Sequence, residues 1–237
     1  MSALLVAPAS ASAGRTFYGW LWGTEVLPER GAELMSFVSE QNHQGDGFPY
    51  TSETRWWIGP LIGITDQLEL ALPIEVAWGK TDDQDGHTAF DRFGAELRYR
   101  FVTQDPVDAP PLVPLVRVAV ERSVINRDTT IPQADLVVSY QEGIVQVLAD
   151  LGAYAELSGS RQHFEVHPGA GVSIEVVEQL RVGAEVHAEL TLDDGQSWAV
   201  AGPNVSWSHG RSWVTAAYGI GFYGVRDAPR VLWGIAF

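Results

Sequence analysis

The residues best suited to chemistry in this sequence are histidines and carboxylates that recur at every second position of one stretch. Glu165 and His167 are separated by one residue, and the pattern Glu185, His187, Glu189 follows further along. Imidazole nitrogens and carboxylate oxygens bind transition metals, and an imidazole close to carboxylates can change its charge near neutral pH. We interpret these residues as hydrogen-bonded side chains of a polar wall, with a metal site or a pH gate as the alternatives. No metal ion or other cofactor is predicted.

A second set of candidate residues has both signs of charge and also alternates with apolar residues. Its members are Arg98, Arg100, Arg117, Glu75, Glu96 and Glu121. If the three arginines lie on neighbouring strands they form one basic patch, and charge opposed across a narrow passage selects solutes by charge. The alternative is a ladder of ion pairs and bound water that fills a narrow interior.

The elements that position these residues are long strands. Between Arg161 and Leu192 the sequence predicts a hairpin in which one face of each arm is apolar and the other face contains the charges and glycines. The alternation lasts for about a dozen residues in each arm, whereas soluble strands average about five or six. This pattern is typical of strands with lipid outside and a polar lumen inside. A three-residue connection, Val177 to Gln179, would place His167 opposite Glu189 and His187 one diagonal step away.

Similar alternation along the chain predicts one all-β domain, a single closed antiparallel transmembrane β-barrel of about 12 strands over residues 31–237. Residues 1–13 look like the end of a secretory signal, with small residues at Ala11 and Ala13 before a cleavage point, so we predict a residual signal peptide. Residues 14–30 are rich in aromatics without alternation. We predict an N-terminal periplasmic or lumenal segment, which lines the rim, enters the lumen or forms a short strand.

The composition excludes some classes of function. The chain has 30 acidic and 15 basic residues, a net charge of −15, which argues against binding to nucleic acid. It contains no cysteine, which suits passage through an oxidising periplasm. No run of apolar residues approaches the roughly 18 that a membrane helix needs.

The last seven residues form an alternating apolar strand that ends in an aromatic residue: Val231-Leu232-Trp233-Gly234-Ile235-Ala236-Phe237. This resembles the closing strand of bacterial outer-membrane β-barrels of the porin-like type. The resemblance implies a Gram-negative outer membrane, insertion by the barrel-assembly machinery, contact with the lipid bilayer and lipopolysaccharide, and a C-terminus on the periplasmic side. The soluble alternative, a lipocalin-like barrel, would place the aliphatic residues inside; the leader, strand count, aromatic girdles and Phe237 argue against it.

These patterns predict an outer-membrane channel or transporter that passes small polar solutes through a charged lumen. The alternatives are a non-conducting structural or surface-interaction barrel and a conduit for hydrophobic molecules. No catalytic residue is assigned, because the sequence has no Gly-x-Ser-x-Gly motif. Catalysis stays an alternative, since a barrel can gather reactive residues from separate strands.

Overall fold

The structure is a computed structural model that describes residues 16–44, 48, 50–81, 86–103, 110–159, 161–193 and 195–237. The signal peptide predicted at residues 1–13 lies outside the described residues, as do the first two residues of the predicted 14–30 segment. Within the described residues, no helix is long and apolar enough to cross a membrane.

Long antiparallel strands make up the regular structure, and the described residues form thirteen of them. They are β1 Ala32–His43, β2 Ser52–Thr65, β3 Leu68–Ala71, β4 Ile74–Lys80, β5 His87–Arg100, β6 Leu112–Ser123, β7 Thr130–Glu142, β8 Val145–Leu157, β9 Gln162–Val177, β10 Leu180–Thr191, β11 Trp198–His209, β12 Ser212–Tyr223 and β13 Val225–Ala236.

The sheet closes on itself, because β1 pairs with both β2 and β13. Both β3 and β4 pair with β2 on one side and β5 on the other, so they share one position in the ring. The ring therefore has twelve positions, which confirms the predicted closed antiparallel barrel. Leu72 and Pro73 separate β3 from β4, since proline has no N–H for the ladder. The ladder is kept there by bonds from Leu72 N–H to the Pro60 carbonyl (3.1 Å) and from Gly94 N–H to the Pro73 carbonyl (3.0 Å).

The β9–β10 hairpin has the predicted register. His187 pairs with Gly169 and Leu190 pairs with Val166, so His167 lies opposite Glu189. The turn itself differs from the prediction. Val177 pairs with Leu180, and a register shift follows at Arg181, so a two-residue turn and a bulge replace the three unpaired residues.

The outer face of the barrel is apolar along its whole circumference. Exposed aliphatic side chains occur on successive strands, and they include Leu97, Val118, Leu136, Leu151, Ile174, Val186, Val205, Ile220 and Ile235. Exposed aromatic residues lie near both ends, with Tyr99, Phe101 and Trp207 at the end that holds the C-terminus and Phe164 and Phe222 at the opposite end. A continuous apolar belt between two aromatic girdles is the surface of a membrane-spanning barrel.

Two of the short turns depend on glycine. Gly143 and Gly210 have φ values of 58° and 59°, which suit the first central position of a two-residue hairpin turn. No atom lies within 4 Å of a Cβ added at Gly143, so the Gly143→Ala variant would meet only backbone strain. We expect the free energy of unfolding to fall by about 1 kcal/mol. Urea titration of the folded barrel measures this, with Gly159→Ala, in an open bend without positive φ, as the control.

Candidate functional site

The lumenal segment, residues 16–30, lies inside the barrel over residues 16–27, in the half nearest the C-terminus, and its last three residues are exposed. It belongs to no strand. Its apolar side chains are buried against inward-facing apolar residues of the wall. One cluster joins Tyr18, Leu21 and Val26 to Leu115, Val137 and Leu148, and another joins Leu27 to Met35, Leu61, Trp213 and Leu232. These contacts place the buried part of the segment against the inner face of the wall.

Carboxylates of the wall hold the lumenal segment by its backbone. The Glu185 carboxylate accepts hydrogen bonds from Gly19 N–H (2.8 Å) and Trp20 N–H (2.9 Å). Two further pairs of the same kind are Trp22 N–H with Asp150 (3.1 Å) and Leu27 N–H with Glu69 (2.8 Å). These bonds satisfy backbone groups that no strand pairs, and each acceptor is a buried wall residue.

Inward-facing glycines make room for the lumenal segment. A Cβ at Gly171 would lie 2.5 Å from the Tyr18 ring, and one at Gly169 would overlap the Leu21 side chain. At Gly63 an added Cβ would overlap the carbonyl of Pro28, which is a backbone atom of the segment. The wall is therefore shaped to this segment, because any side chain at these positions would displace it.

Two arginines of the wall lie over the ring of one tryptophan of the segment. The guanidinium carbons of Arg98 and Arg117 lie 4.5 and 4.3 Å from the centroid of the Trp22 ring. Both arginines also pair with Glu96, at 2.6 Å from Arg98 and 2.7 Å from Arg117. Arg100 lies apart from them and donates to the carbonyls of Thr24, Val102 and Thr103. Two of the three arginines of the predicted basic patch are thus brought together, and both are ion-paired.

Above the lumenal segment lies a cavity of about 850 Å³, which we call the cup. Trp20 and Trp22 line its base, and residues of the loops opposite the termini line its rim, including Phe48, Asn126 and Gln196. The two remaining members of the predicted charge set, Glu75 and Glu121, line one wall of the cup. Arg92, which the sequence analysis did not single out, lies between them at 3.3 Å and 3.6 Å.

The histidines and glutamates of β9 and β10 line another wall of the cup. His167 Nε2 lies 2.8 Å from Glu165 Oε2, and His187 Nε2 lies 3.8 Å from Glu189 Oε1. His163 adds a contact that sequence reasoning missed, since its Nε2 lies 2.8 Å from Glu165 Oε1. Glu185, the fifth residue of the predicted cluster, binds the lumenal segment instead of the histidines. The structure therefore gathers four of the five predicted residues.

A loop carboxylate extends this wall towards the rim. Asp193 accepts hydrogen bonds from Phe164 N–H (3.1 Å) and contacts His163 Nδ1 at 2.8 Å. Desolvation acts to raise the pKa of Asp193, but these hydrogen bonds outweigh it, so the pKa is lower than usual. Asp193 is therefore ionised at neutral pH.

No protein-family model matches the chain, and no curated protein is similar to it in sequence. Solved structures share its fold. An outer-membrane channel from Pseudomonas putida is 10% identical with a TM-score of 0.64, and the match covers 90% of this chain and 98% of that one. The KdgM porin, in complex with disordered oligogalacturonate, is 11% identical with a TM-score of 0.56, and the match covers 86% of this chain and 99% of that one. The translocator domain of the autotransporter NalP from Neisseria meningitidis is 13% identical with a TM-score of 0.53, and the match covers 87% of this chain and 88% of that one. The chain thus has the fold of outer-membrane β-barrel porins and channels.

Proposed function

We propose that this protein is an outer-membrane channel for small polar solutes that is closed by its own lumenal segment. The observation behind this proposal is that residues 16–27 fill half of the lumen and belong to no strand. Every strand of the ring is bonded on both sides, so no strand can leave without opening the sheet. The lumenal segment is held by side-chain packing and by separate backbone hydrogen bonds to wall carboxylates, so it can leave while the sheet stays closed.

The charged side chains that line the cup support the proposal that the solutes are polar. Arg55, Arg92 and Glu75 line one side, and Glu165 and His167 line another, so a solute entering the cup meets charge of both signs. Aromatic residues also gather in the lumen, which would favour a conduit for hydrophobic molecules. Trp22 is covered by two arginines, however, and Arg230 lies 5.0 Å from the Trp20 ring centroid, so these rings do not form an apolar passage.

The same proposal includes the location and partners of the barrel. The apolar belt suits the lipid bilayer and lipopolysaccharide, and the terminal Phe237 suits recognition by the barrel-assembly machinery of a Gram-negative bacterium. With the C-terminus on the periplasmic side, the cup opens to the outside of the cell and the lumenal segment closes the periplasmic half. A second candidate, a non-conducting structural barrel, is favoured by the same filled lumen.

Single-channel conductance of the refolded chain in a planar bilayer separates these two candidates. We expect the full chain to be silent or nearly so, and a variant without residues 1–30 to give stable, ohmic steps. The deletion removes the contacts of Glu185, Asp150 and Glu69 with the segment and leaves the ring of strands intact. Reversal potentials in a salt gradient would then report the ion selectivity of the open lumen.

Two outcomes would contradict the proposal. If the deletion variant is folded and inserted but silent, the barrel does not conduct and the structural alternative holds. If the full chain conducts as well as the deletion variant, the lumenal segment is not the closing element. Heat-modifiable migration on electrophoresis and a β-sheet circular dichroism spectrum establish folding in each case.

A further inference from the structure

We propose that the cup contains a binding site for a divalent transition-metal ion of the Zn²⁺ type, with Glu165, His167 and Glu189 as ligands. One ligand atom from each of these side chains lies within 4.8 Å of the other two. Two are on β9 and one is on β10; the register sets His167 opposite Glu189 and places Glu165 one inward position further along β9. Metal binding is a property separate from the proposed channel function, and it does not depend on movement of the lumenal segment.

The distances are close to those of a coordination sphere. Zinc binds imidazole nitrogen and carboxylate oxygen at about 2.0–2.2 Å, so its ligand atoms lie roughly 3–4 Å apart. His167 Nε2 and Glu165 Oε2 are already 2.8 Å apart. Closing the set around an ion needs side-chain movements on the order of 1 Å. Binding replaces the hydrogen bond between His167 and Glu165, and any proton on Nε2 is released to solvent.

Each carboxylate has one oxygen held by a neighbour, and this leaves the other oxygen for the ion. Glu165 Oε1 contacts His163 Nε2 at 2.8 Å, and His163 in turn contacts Asp193 through Nδ1. Glu189 Oε2 accepts a hydrogen bond from Trp198 Nε1 at 2.9 Å. Such outer contacts orient metal ligands and typically change affinity by about 10–100-fold.

Aromatic rings fix the imidazoles. The Tyr154 ring stacks on His167, with ring centroids 5.8 Å apart, and the Trp20 ring stacks on His187 at 5.6 Å. His187 Nε2 lies 3.8 Å from Glu189 Oε1, so it is placed to act as a fourth ligand. Because these rings are held before an ion arrives, binding costs less conformational entropy than it would for free side chains.

Access and charge also favour a cation. The three ligands line the cup, which opens at the end opposite the termini. Two of the arginines that line the cup are ion-paired within the wall, since Arg92 pairs with Glu75 and Arg117 pairs with Glu96 and Asp135. An imidazole ligand favours zinc-like ions over Mg²⁺ and Ca²⁺, which prefer oxygen alone.

Isothermal titration of the refolded full chain with ZnCl₂ tests the site. We expect one Zn²⁺ per chain, and affinity at least about tenfold lower in the His167→Gln and Glu189→Gln variants. The matched controls are His209→Gln and Glu178→Gln, which change the same residue types at the other end of the barrel and should leave the affinity unchanged. Mg²⁺ titrated under the same conditions should bind much more weakly.

Absence of Zn²⁺ binding by the folded full chain would overturn the proposal, and so would equal affinity in the ligand variants and the controls. Mg²⁺ binding as tight as that of Zn²⁺ would contradict the imidazole ligand. None of these outcomes depends on conductance, so failure of the metal site and failure of the channel proposal are distinguishable. A folded variant is recognised by its heat-modifiable migration, as before.

Discussion

The Gly171→Leu variant is expected to convert a silent barrel into a conducting one. A leucine at this inward-facing position would occupy the space of the Tyr18 ring and the Leu21 side chain, since even a Cβ would lie 2.5 Å from Tyr18 and 3.1 Å from Leu21. Tyr18 is fully buried in a cluster with Leu115, Val137 and Leu148 of the wall, so the added side chain competes with it for packed space. The segment must leave the lumen, and conductance should rise from the baseline to that of the deletion variant in a planar bilayer.

The neighbouring residue gives a matched control for this prediction. Ala170 is adjacent on the same strand and points outward, so the Ala170→Leu variant adds the same side chain on the lipid face. It should stay as silent as the unmodified chain. Silence of a folded Gly171→Leu barrel would mean that the segment tolerates the added volume and stays docked, which would contradict this prediction; the closing role itself is decided by the deletion variant.

Loss of the charge at Glu96 is expected to lower the free energy of unfolding by about 3–5 kcal/mol. Glu96 is 1% exposed and pairs with both Arg98 and Arg117, which lie opposite each other on β5 and β6. In the Glu96→Gln variant Arg98 and Arg117 keep contacts with Glu69 and Asp135, but the two buried like charges lose the carboxylate that they share. Urea unfolding of the barrel in detergent micelles, followed by tryptophan fluorescence, measures the loss.

The control is Glu178→Gln in the exposed β9–β10 turn, which should change stability by less than about 0.5 kcal/mol. An equal and small effect at both positions would mean that water in the lumen solvates the arginines. Such a result would also weaken the picture of a filled lower lumen, because a dry site is what makes the missing charge costly.

The sequence was sufficient to predict the wall of the barrel. Alternation over a dozen residues determines which side chains face inward, and in the β9–β10 hairpin it also determines the pairing of His167 with Glu189, because a slip of one residue would expose the polar face to lipid. The bulge opposite Arg181 was not predicted. It changes the geometry of the turn but leaves the same residues facing inward and outward, so the alternation does not indicate it.

The lumenal segment could not be placed from the sequence because it has no period of its own. Its position depends on contacts with wall residues far along the chain, such as Ser139 and Glu185, and no local pattern encodes these. A signal was nevertheless present in the wall. Leu115 and Leu148 are apolar residues on inward faces near the terminal end, where a water-filled lumen would favour polar ones. Their partners are the aromatic residues of the segment.

The contacts of the lumenal segment also imply an order of folding. Thr16 accepts a hydrogen bond from Thr215, 199 residues further along the chain, and Trp20 donates one to the carbonyl of Ala228. These partners belong to strands that are synthesised last, and they reach their places only as the ring closes between β1 and β13. Contacts at such separation are slow to form because the intervening loop must be closed first. We therefore expect the start of the lumenal segment, around Thr16 and Trp20, to dock only when the ring closes, although this part of the described chain is made first.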